Sequence, residues 1–208
     1  MKRQLYVAVE GPIGVGKTTL IHRLRERMNA RLVMEVVEEN PFLARFYTDR
    51  ERYAFQTQLF FLMSRFQQQQ ELLQGDLFEP TILADYHLLK DRIFAQLTLK
   101  NDELALYERV YQSLENHILQ PDVLVYLNAS QEVLHQRIAK RGRPFEEDLD
   151  PAYLIALSEA YQHYFSHYDK SVPLLALDSS ELDYVSSDAV LDGIYDQILT
   201  LANAHRHD

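Results

Sequence analysis

The stretch Gly11-Pro12-Ile13-Gly14-Val15-Gly16-Lys17-Thr18 decides the fold of this chain, because it fits the phosphate-binding loop pattern G-x-x-x-x-G-K-[ST]. A short apolar run, residues 5–9, precedes it, and a segment of helical character, residues 19–28, follows it. Strand, glycine-rich loop and helix is the context in which this pattern binds a nucleotide. Glycines allow a tight turn that directs several N–H groups at one phosphate, and the helix N-terminus adds partial positive charge.

Each residue type in this loop has an expected role. Lys17 is expected to reach the β- and γ-phosphates of ATP, and the Thr18 hydroxyl is expected to ligate Mg²⁺. The alternative is a glycine turn with an exposed lysine, which the flanking strand and helix disfavour. The predicted phosphate-binding residues of the loop are Gly11, Gly14, Val15, Gly16, Lys17, Thr18 and Thr19.

The composition indicates one α/β domain that acts on small molecules. The chain has 208 residues, 47% of them hydrophobic, and its few glycines and prolines form no linker, so we expect a single domain over residues 1–208. The net charge of −10 argues against a nucleic acid polymer as partner. The chain has no run of eighteen apolar residues, so no membrane span is predicted. There is no cysteine, hence no disulfide and no cysteine metal site, and we expect a cytoplasmic location.

Five short apolar runs are predicted strands, and longer segments with helical spacing, such as 54–73 and 102–119, lie between them. The runs are continuous rather than alternating in hydrophobicity, as in strands that are buried on both faces. This order of elements predicts an α/β fold with a five-stranded parallel sheet and helices on both faces. The predicted strands are residues 5–10, 31–35, 81–85, 123–127 and 174–177.

Two acidic side chains end predicted strands: Glu35 the second and Asp85 the third. Ligands of parallel sheets bind at the carboxyl ends of strands, so both acids should meet the loop in one crevice. Asp85 could hold Mg²⁺ with Thr18, directly or through water. Glu35 could orient or deprotonate an attacking hydroxyl, with Glu38 and Glu39 as rivals for that role. The alternative is that each acid caps the helix after it.

Four cations are concentrated in residues 137–143 of this acidic chain. Arg137 and Arg141 lie one helical turn apart and share a face, in a helix predicted to start after Ser130, and Arg143 follows a glycine. Such arginines can clamp a transferring γ-phosphate and offset its charge. The segment 137–150 is therefore a predicted phosphate lid, with a solvated basic face as the alternative.

Gln58 and Arg65 are seven residues apart in the predicted helix 54–73 and so share a face. A glutamine amide can form two hydrogen bonds with the edge of a nucleobase. An exposed polar stripe fits the spacing equally well, so the residues alone leave both interpretations open.

These stretches together resemble the deoxynucleoside kinase family, most closely its bacterial deoxyadenosine/deoxyguanosine kinase branch, over residues 4–185. The phosphate-binding loop is shared with many proteins, whereas the motifs around Glu35 and Gln58 are more specific. The motifs besides the loop are Glu35-Val-Val-Glu-Glu-Asn40-Pro41-Phe42-Leu43, Phe46-Tyr47, Ala54-Phe-Gln-Thr-Gln58-Leu-Phe-Phe-Leu-Met-Ser-Arg65-Phe66, Asp85-Tyr-His-Leu-Leu-Lys-Asp91-Arg-Ile-Phe94 and Arg137-Ile-Ala-Lys-Arg-Gly-Arg143-Pro-Phe-Glu146.

The resemblance implies a P-loop kinase fold with a short arginine-rich lid and a role in nucleotide salvage. The implied reaction is ATP- and Mg²⁺-dependent phosphorylation of the 5′-hydroxyl of a purine deoxynucleoside, deoxyadenosine, deoxyguanosine or both. The implied assembly is a homodimer, with a heteromer of related chains as the alternative. The implied catalytic residues are Glu35 as general base, Lys17, Arg137 and Arg141.

The resemblance also assigns binding residues. Gln58, Arg65 and Asp91 would surround the base, while Tyr47 and Glu146 would hold the sugar 3′-hydroxyl. The implied phosphate lid consists of Arg137, Arg141 and Arg143, and Asp85 would lie near Mg²⁺.

The sequence departs from the family pattern at Asp85-Tyr86-His87, where most members have arginine and serine after the acid. That arginine normally touches the base Glu and the transferring phosphate. Tyr86 could donate one hydrogen bond to the substrate but carries no charge. The candidates for supplying the missing positive charge are Lys90, Arg92 and a lid arginine.

Two other classes of function share the loop. A nucleoside monophosphate kinase of the thymidylate kinase type has the same fold and lid, but it often carries an arginine where Tyr86 stands, for the acceptor phosphate. A P-loop switch, a regulatory ATPase or a non-catalytic nucleotide-binding subunit would transfer nothing. The carboxylate at Glu35, together with the Gln58 amide, favours the deoxynucleoside kinase.

Overall fold

Five parallel strands form one sheet in the computed structural model, which describes residues 4–73, 81–143, 149–168 and 172–205. Their order in the sheet is β2-β3-β1-β4-β5, so the strand that leads into the phosphate-binding loop is central. Val7 in that strand pairs with Leu83 on one side and Val123 on the other. The strands are β1 (Leu5–Glu10), β2 (Arg31–Val33), β3 (Thr81–Ala84), β4 (Val123–Asn128) and β5 (Leu174–Asp178).

The sheet confirms the predicted architecture and shifts some boundaries. The helix predicted over 54–73 begins four residues earlier, and the one predicted over 102–119 ends at Glu115. The helix predicted after Ser130 begins there, because the Ser130 hydroxyl accepts a hydrogen bond from the N–H of Val133. The described helices are α1 (Lys17–Met28), α2 (Leu43–Thr48), α3 (Arg50–Leu73), α4 (Leu89–Thr98), α5 (Asn101–Glu115), α6 (Gln131–Arg141), α7 (Pro151–Ser166) and α8 (Asp188–His205).

Alternate residues of β1 enter two different hydrophobic cores. Val7 and Val9 pack with side chains of α1 and α8 on one face of the sheet. Tyr6 and Ala8 pack on the other face with side chains of α4 and α7, including Leu157. Both faces are therefore buried, which explains why the strands are continuous apolar runs.

A third core lies among the helices and fixes one wall of the crevice above the sheet. Leu62 of α3, Leu88 before α4 and Tyr107 of α5 are fully buried in it. Burial of such side chains contributes about 1.5–3 kcal/mol each. This packing holds α3 and α4 in place, and these helices carry several of the predicted site residues. In the part of the chain that the structure describes, no helix is both long and apolar enough to cross a membrane.

Candidate active site

A cavity of about 670 Å³ lies at the carboxyl ends of β1, β2 and β3, a volume typical of small-molecule sites. The phosphate-binding loop lines one end of it, and α2, α3 and α4 line the other. The cavity therefore joins the predicted phosphate-binding residues to the predicted substrate-binding residues. The predicted site residues in its lining are Gly14, Val15, Gly16, Lys17, Thr18, Thr19, Glu35, Tyr47, Gln58, Arg65, Asp85, Arg137, Arg141 and Arg143.

The phosphate-binding loop is held against its surroundings so closely that a side chain at any of its three glycines, Gly11, Gly14 and Gly16, would collide with a neighbouring residue. Gly11 and Gly16 have positive φ angles, of 147° and 105°. A Cβ at Gly11 would collide with the carbonyl oxygen of Leu127, and one at Gly16 with the hydroxyl of Tyr184. Lys17 Nζ donates to the carbonyl oxygens of Gly11, at 2.7 Å, and Pro12, at 3.1 Å, so the ammonium lies over the loop. This cradle fits a nucleotide phosphate.

The carboxylate of Asp85 connects the loop to the ends of two strands. Oδ2 accepts a hydrogen bond of 3.2 Å from the Thr18 hydroxyl, and Oδ1 accepts one of 2.6 Å from the N–H of Glu35. The second bond takes the N–H of Glu35 out of the sheet ladder, so β2 ends at Val33 rather than at residue 35. A hydroxyl beside a carboxylate is a donor set that suits Mg²⁺, which takes one or two carboxylates and otherwise phosphate and water oxygens. Burial and, secondly, Glu35 raise the pKa of Asp85, and a cation would offset this effect.

Glu35 is partly buried, with its side chain between two cations. Lys90 Nζ lies 2.9 Å from each of its carboxylate oxygens, and Arg65 Nη2 donates to Oε1. Burial alone raises the pKa of Glu35, but Lys90 and Arg65 outweigh it and hold the pKa well below its ordinary range. The side chain is therefore an anion at neutral pH, as a general base must be.

Arg65 joins Glu35 to a second buried acid. Its Nη1 donates to Oδ1 of Asp91, which is fully buried beneath the cavity wall, and its guanidinium lies 4.6 Å from the centre of the Phe61 ring. Burial raises the pKa of Asp91, and Arg65 opposes the rise. A buried charge without a partner is costly, so Asp91 fixes the position of Arg65.

Gln58 lies on the α3 face that carries Arg65, and both side chains line the cavity. Gln58 is buried, with 2% of its surface exposed, and it contributes to the lining of the cavity. The rings of Phe61 and Phe94 line the same end, and Tyr47 of α2 completes this wall. A cavity lined by an amide and aromatic rings suits a nucleobase, which offers a polar edge and two apolar faces.

The arginines of the predicted lid have different environments. Arg137 Nη1 donates to the carbonyl oxygen of Val15 and to the Ser179 hydroxyl, both at 2.9 Å, which fixes Arg137 beside the loop. Arg141, exposed in the last turn of α6, lines the cavity, and Arg143 Nη2 lies 3.4 Å from Glu38. Residues 144–148 lie outside the described residues, and so does the predicted 3′-hydroxyl contact at Glu146.

This geometry agrees with the comparison to known proteins. The sequence profile of the deoxynucleoside kinase family matches residues 7–203. The chain belongs to the deoxynucleoside kinase family.

Individual relatives of this kinase include the following proteins. It is 35% identical over 184 residues to the deoxyguanosine kinase of Bacillus subtilis (strain 168), covering 86% of this chain and 89% of the relative. It is 33% identical over 184 residues to the deoxyadenosine kinase of Dictyostelium discoideum, covering 85% of this chain and 73% of the relative. The structure of a deoxyadenosine kinase from M. mycoides with bound dATP superimposes with a TM-score of 0.82 at 25% identity, over 94% of this chain and 100% of that one. The predicted family and P-loop kinase fold are confirmed, and the thymidylate kinase hypothesis gains no support.

The structure shows the surroundings of Tyr86, where the sequence of this kinase departs from the family pattern. Tyr86 is fully buried, and its hydroxyl donates a 2.7 Å hydrogen bond to Gln68 Oε1. Arg92 pairs with Glu108 at 3.2 Å, and its side chain is 42% exposed. Lys90, of the candidates named from the sequence, is the residue that contacts the carboxylate of Glu35.

Sequence reasoning missed two residues that hold the site together. The fully buried carboxylate of Glu10 accepts hydrogen bonds from the N–H of Gly11, the N–H of His87 and the hydroxyl of Tyr161. Burial raises its pKa. An acid at the end of an otherwise apolar strand was the available signal for Glu10. Ser179, which fixes Arg137 and also donates to the carbonyl oxygen of Val15, had no such signal.

Proposed function

We propose that this kinase transfers the γ-phosphoryl group of ATP to the 5′-hydroxyl of a purine deoxynucleoside. One observation carries the proposal: a single cavity is lined by a phosphate-binding loop at one end and, toward the other, by a partly buried ionised carboxylate, a glutamine amide and two aromatic rings. The names of the relatives, deoxyguanosine and deoxyadenosine kinases, support a purine substrate.

The donor nucleotide would occupy the end of the cavity that the loop lines. Loop N–H groups and Lys17 would bind its phosphates, and Arg137, Arg141 and Arg143 would offset charge on the transferring group. Thr18 and Asp85 would hold Mg²⁺, directly or through water, and this ion would neutralise charge on the β- and γ-phosphates.

The nucleoside would occupy the other end. Gln58 would hydrogen-bond the edge of the base, with Arg65 and Asp91 completing that side, and Phe61 and Phe94 would pack on its faces. Tyr47 and Glu146 would hold the 3′-hydroxyl. Tyr86 would act through the wall that it supports, because it is fully buried.

Glu35 would then receive the proton of the 5′-hydroxyl. The bond between O5′ and the γ-phosphorus forms while the bond from that phosphorus to the ADP oxygen breaks, and the hydroxyl proton passes to Glu35. Among the described side chains, two donate hydrogen bonds to Oε1 of Glu35, Arg65 and Lys90, whereas one, Lys90, donates to Oε2. Oε2 is therefore the oxygen we assign to the proton. The enzyme mainly positions the reactants and stabilises charge.

The resemblance to the family supports a homodimer, with a heteromer as the alternative, and a cytoplasmic location.

An assay of the purified protein with ATP and Mg²⁺ tests the activity. The acceptors should be deoxyadenosine, deoxyguanosine, deoxycytidine, thymidine, adenosine and dTMP. We expect phosphorylation of a purine deoxynucleoside with adenosine a poor substrate, and removal of Mg²⁺ by a chelator should abolish it. Activity on dTMP alone, or on none of these acceptors, would refute the proposal.

A further inference from the structure

Lys90 contacts both carboxylate oxygens of Glu35 from a helix whose start is fixed to the phosphate-binding loop. We infer that Lys90 positions Glu35 and supplies positive charge to the transferring phosphoryl group. This inference rests on the proposed function, because it takes Glu35 as the group that faces the 5′-hydroxyl.

The backbone near Lys90 is tied to the loop through one buried acid. The N–H of Lys90 donates to the carbonyl oxygen of His87, at 3.2 Å, and the N–H of His87 donates to the carboxylate of Glu10. The same carboxylate accepts from the N–H of Gly11, at 3.2 Å. Lys90 is therefore held in a fixed relation to the residues that would bind ATP.

The side chain of Lys90 extends along an apolar wall and ends at the cavity. Its ammonium lies 5.4 Å from the centre of the Phe94 ring, and the side chain is buried except for the part that lines the cavity. An ammonium has three donors. Among the described residues, the hydrogen bonds of Nζ go to the two oxygens of Glu35, which leaves one donor for a phosphoryl oxygen.

Other cations in the cavity wall have different partners. Lys17 donates to two carbonyl oxygens of its own loop, and Arg137 donates to Val15 and Ser179. Arg65 divides its guanidinium between Glu35 and Asp91, on the side of the cavity where Gln58 lies. Lys90 differs because, among the described residues, the hydrogen bonds of its ammonium go to the carboxylate of Glu35 and to no second group. Its charge also acts on Lys17.

The chemistry of the transfer changes what Lys90 faces. Before transfer, Glu35 is an anion and its charge is balanced by Lys90. When the 5′-hydroxyl proton passes to Glu35, the carboxyl becomes neutral while the new phosphate ester gains the oxygen that lost the proton. The charge of Lys90 is then available to the phosphoryl oxygens without any movement of the backbone, which is the kind of preorganised charge that lowers a barrier.

Replacement of Lys90 by methionine tests the inference, with Lys90→Arg as the conservative variant and Arg92→Met as the matched control on the same helix. For K90M we expect kcat to fall about 100-fold or more, as when one preorganised donor to a transition state is removed. The KM values for nucleoside and ATP should change less than about 3-fold, because the lost interaction develops during transfer. The kcat of K90R should be at least about tenfold higher than that of K90M, and the kcat of R92M should match the wild type within about 2-fold.

The wild-type assay separates this inference from the proposed function. If the wild-type enzyme phosphorylates no nucleoside, the proposed function fails. If the wild type is active and K90M keeps kcat within about 3-fold, the inference alone fails. An equal loss in R92M, or no recovery in K90R, would also overturn it. Calorimetric binding of deoxyadenosine and deoxyguanosine shows whether K90M is folded, and if it is not, Lys90→Gln takes its place in the same comparison.

Discussion

Glu35 and Glu38 stand three residues apart in the loop after β2 but have opposite environments. The side chain of Glu35 is 13% exposed and is paired with Lys90 and Arg65. The side chain of Glu38 is 64% exposed and pairs with Arg143 at the rim of the cavity. The sequence left these acids as rivals for the role of general base, and this contrast favours Glu35.

Replacement of Glu35 by glutamine should lower kcat by about 10²- to 10⁴-fold, because the amide cannot take the proton of the 5′-hydroxyl. Binding of the nucleoside should change modestly, since glutamine keeps the shape of the side chain. Steady-state kinetics and calorimetry measure the two effects. Glu38→Gln is the control, and if it proves to be the damaging substitution, the assignment of the base is wrong.

Replacement of Gln58 by alanine should weaken nucleoside binding by about 1–3 kcal/mol, because the edge of the base would lose its hydrogen-bond partner in a buried place. Binding of ATP should be unchanged. Gln67 is an exposed glutamine on the same helix, so Gln67→Ala is the matched control. Calorimetric titration with deoxyadenosine and deoxyguanosine measures the effect, and equal affinities in the two variants would exclude Gln58 from base recognition.

The affinity for ATP should fall as the pH rises above about 8. Burial, and secondly the charge of Lys90, lower the pKa of Lys17 to about 8, although Glu10, Glu35 and Asp85 oppose the shift. Bound phosphates require the protonated ammonium, so binding takes up a proton wherever the free protein has lost it. Well above this pKa, the affinity for ATP should fall by up to about tenfold for each pH unit, which is about 1.4 kcal/mol of binding free energy.

Calorimetry between about pH 7 and 9, in two buffers of different ionisation enthalpy, measures this proton uptake directly. Lys17→Ala should bind ATP weakly without the uptake and should abolish transfer while the fold persists. An affinity for ATP that is constant over this range in the wild type would show that Lys17 stays protonated in the free protein.

Replacement of Tyr86 by phenylalanine should leave kcat and KM within about 2-fold of the wild type, because the hydroxyl is bonded to Gln68 beneath the cavity wall. The free energy of unfolding should fall by about 1 kcal/mol, the usual effect of losing one buried hydrogen bond. Urea unfolding and steady-state kinetics test the two parts. A marked rise in the KM for the nucleoside would instead show that Tyr86 contacts the substrate.

The sequence was sufficient for those parts of the fold that depend on local patterns. The loop around Lys17 and the apolar runs predicted the strands, and the rule that ligands bind at strand ends placed Glu35 and Asp85 in one crevice. The end of β2 was predicted too late, because the N–H of Glu35 bonds to a carboxylate that lies 50 positions away in the chain.

The remaining features depend on contacts between distant segments. Glu10 and His87 are 77 positions apart, and no periodicity in the sequence relates them. The contact between Lys90 and Glu35 requires the order of β2 and β3 in the sheet, which the sequence did not predict. The pairing of Tyr86 with Gln68 is of the same kind, since it depends on how α3 packs against the end of β3.

The hydrogen bonds of Glu10 have a consequence for the evolution and redesign of this enzyme. The carboxylate of Glu10 accepts hydrogen bonds from the first residue of the phosphate-binding loop and from the turn that leads into α4. A substitution that shifts the start of α4 should therefore also displace the loop that would bind the donor nucleotide. Variants with a new base preference that arise on α4 should therefore lose affinity for ATP. Gln58 lies on α3, outside this set of bonds, so if it binds the base as proposed, substitutions there should alter substrate choice at little cost to the donor site.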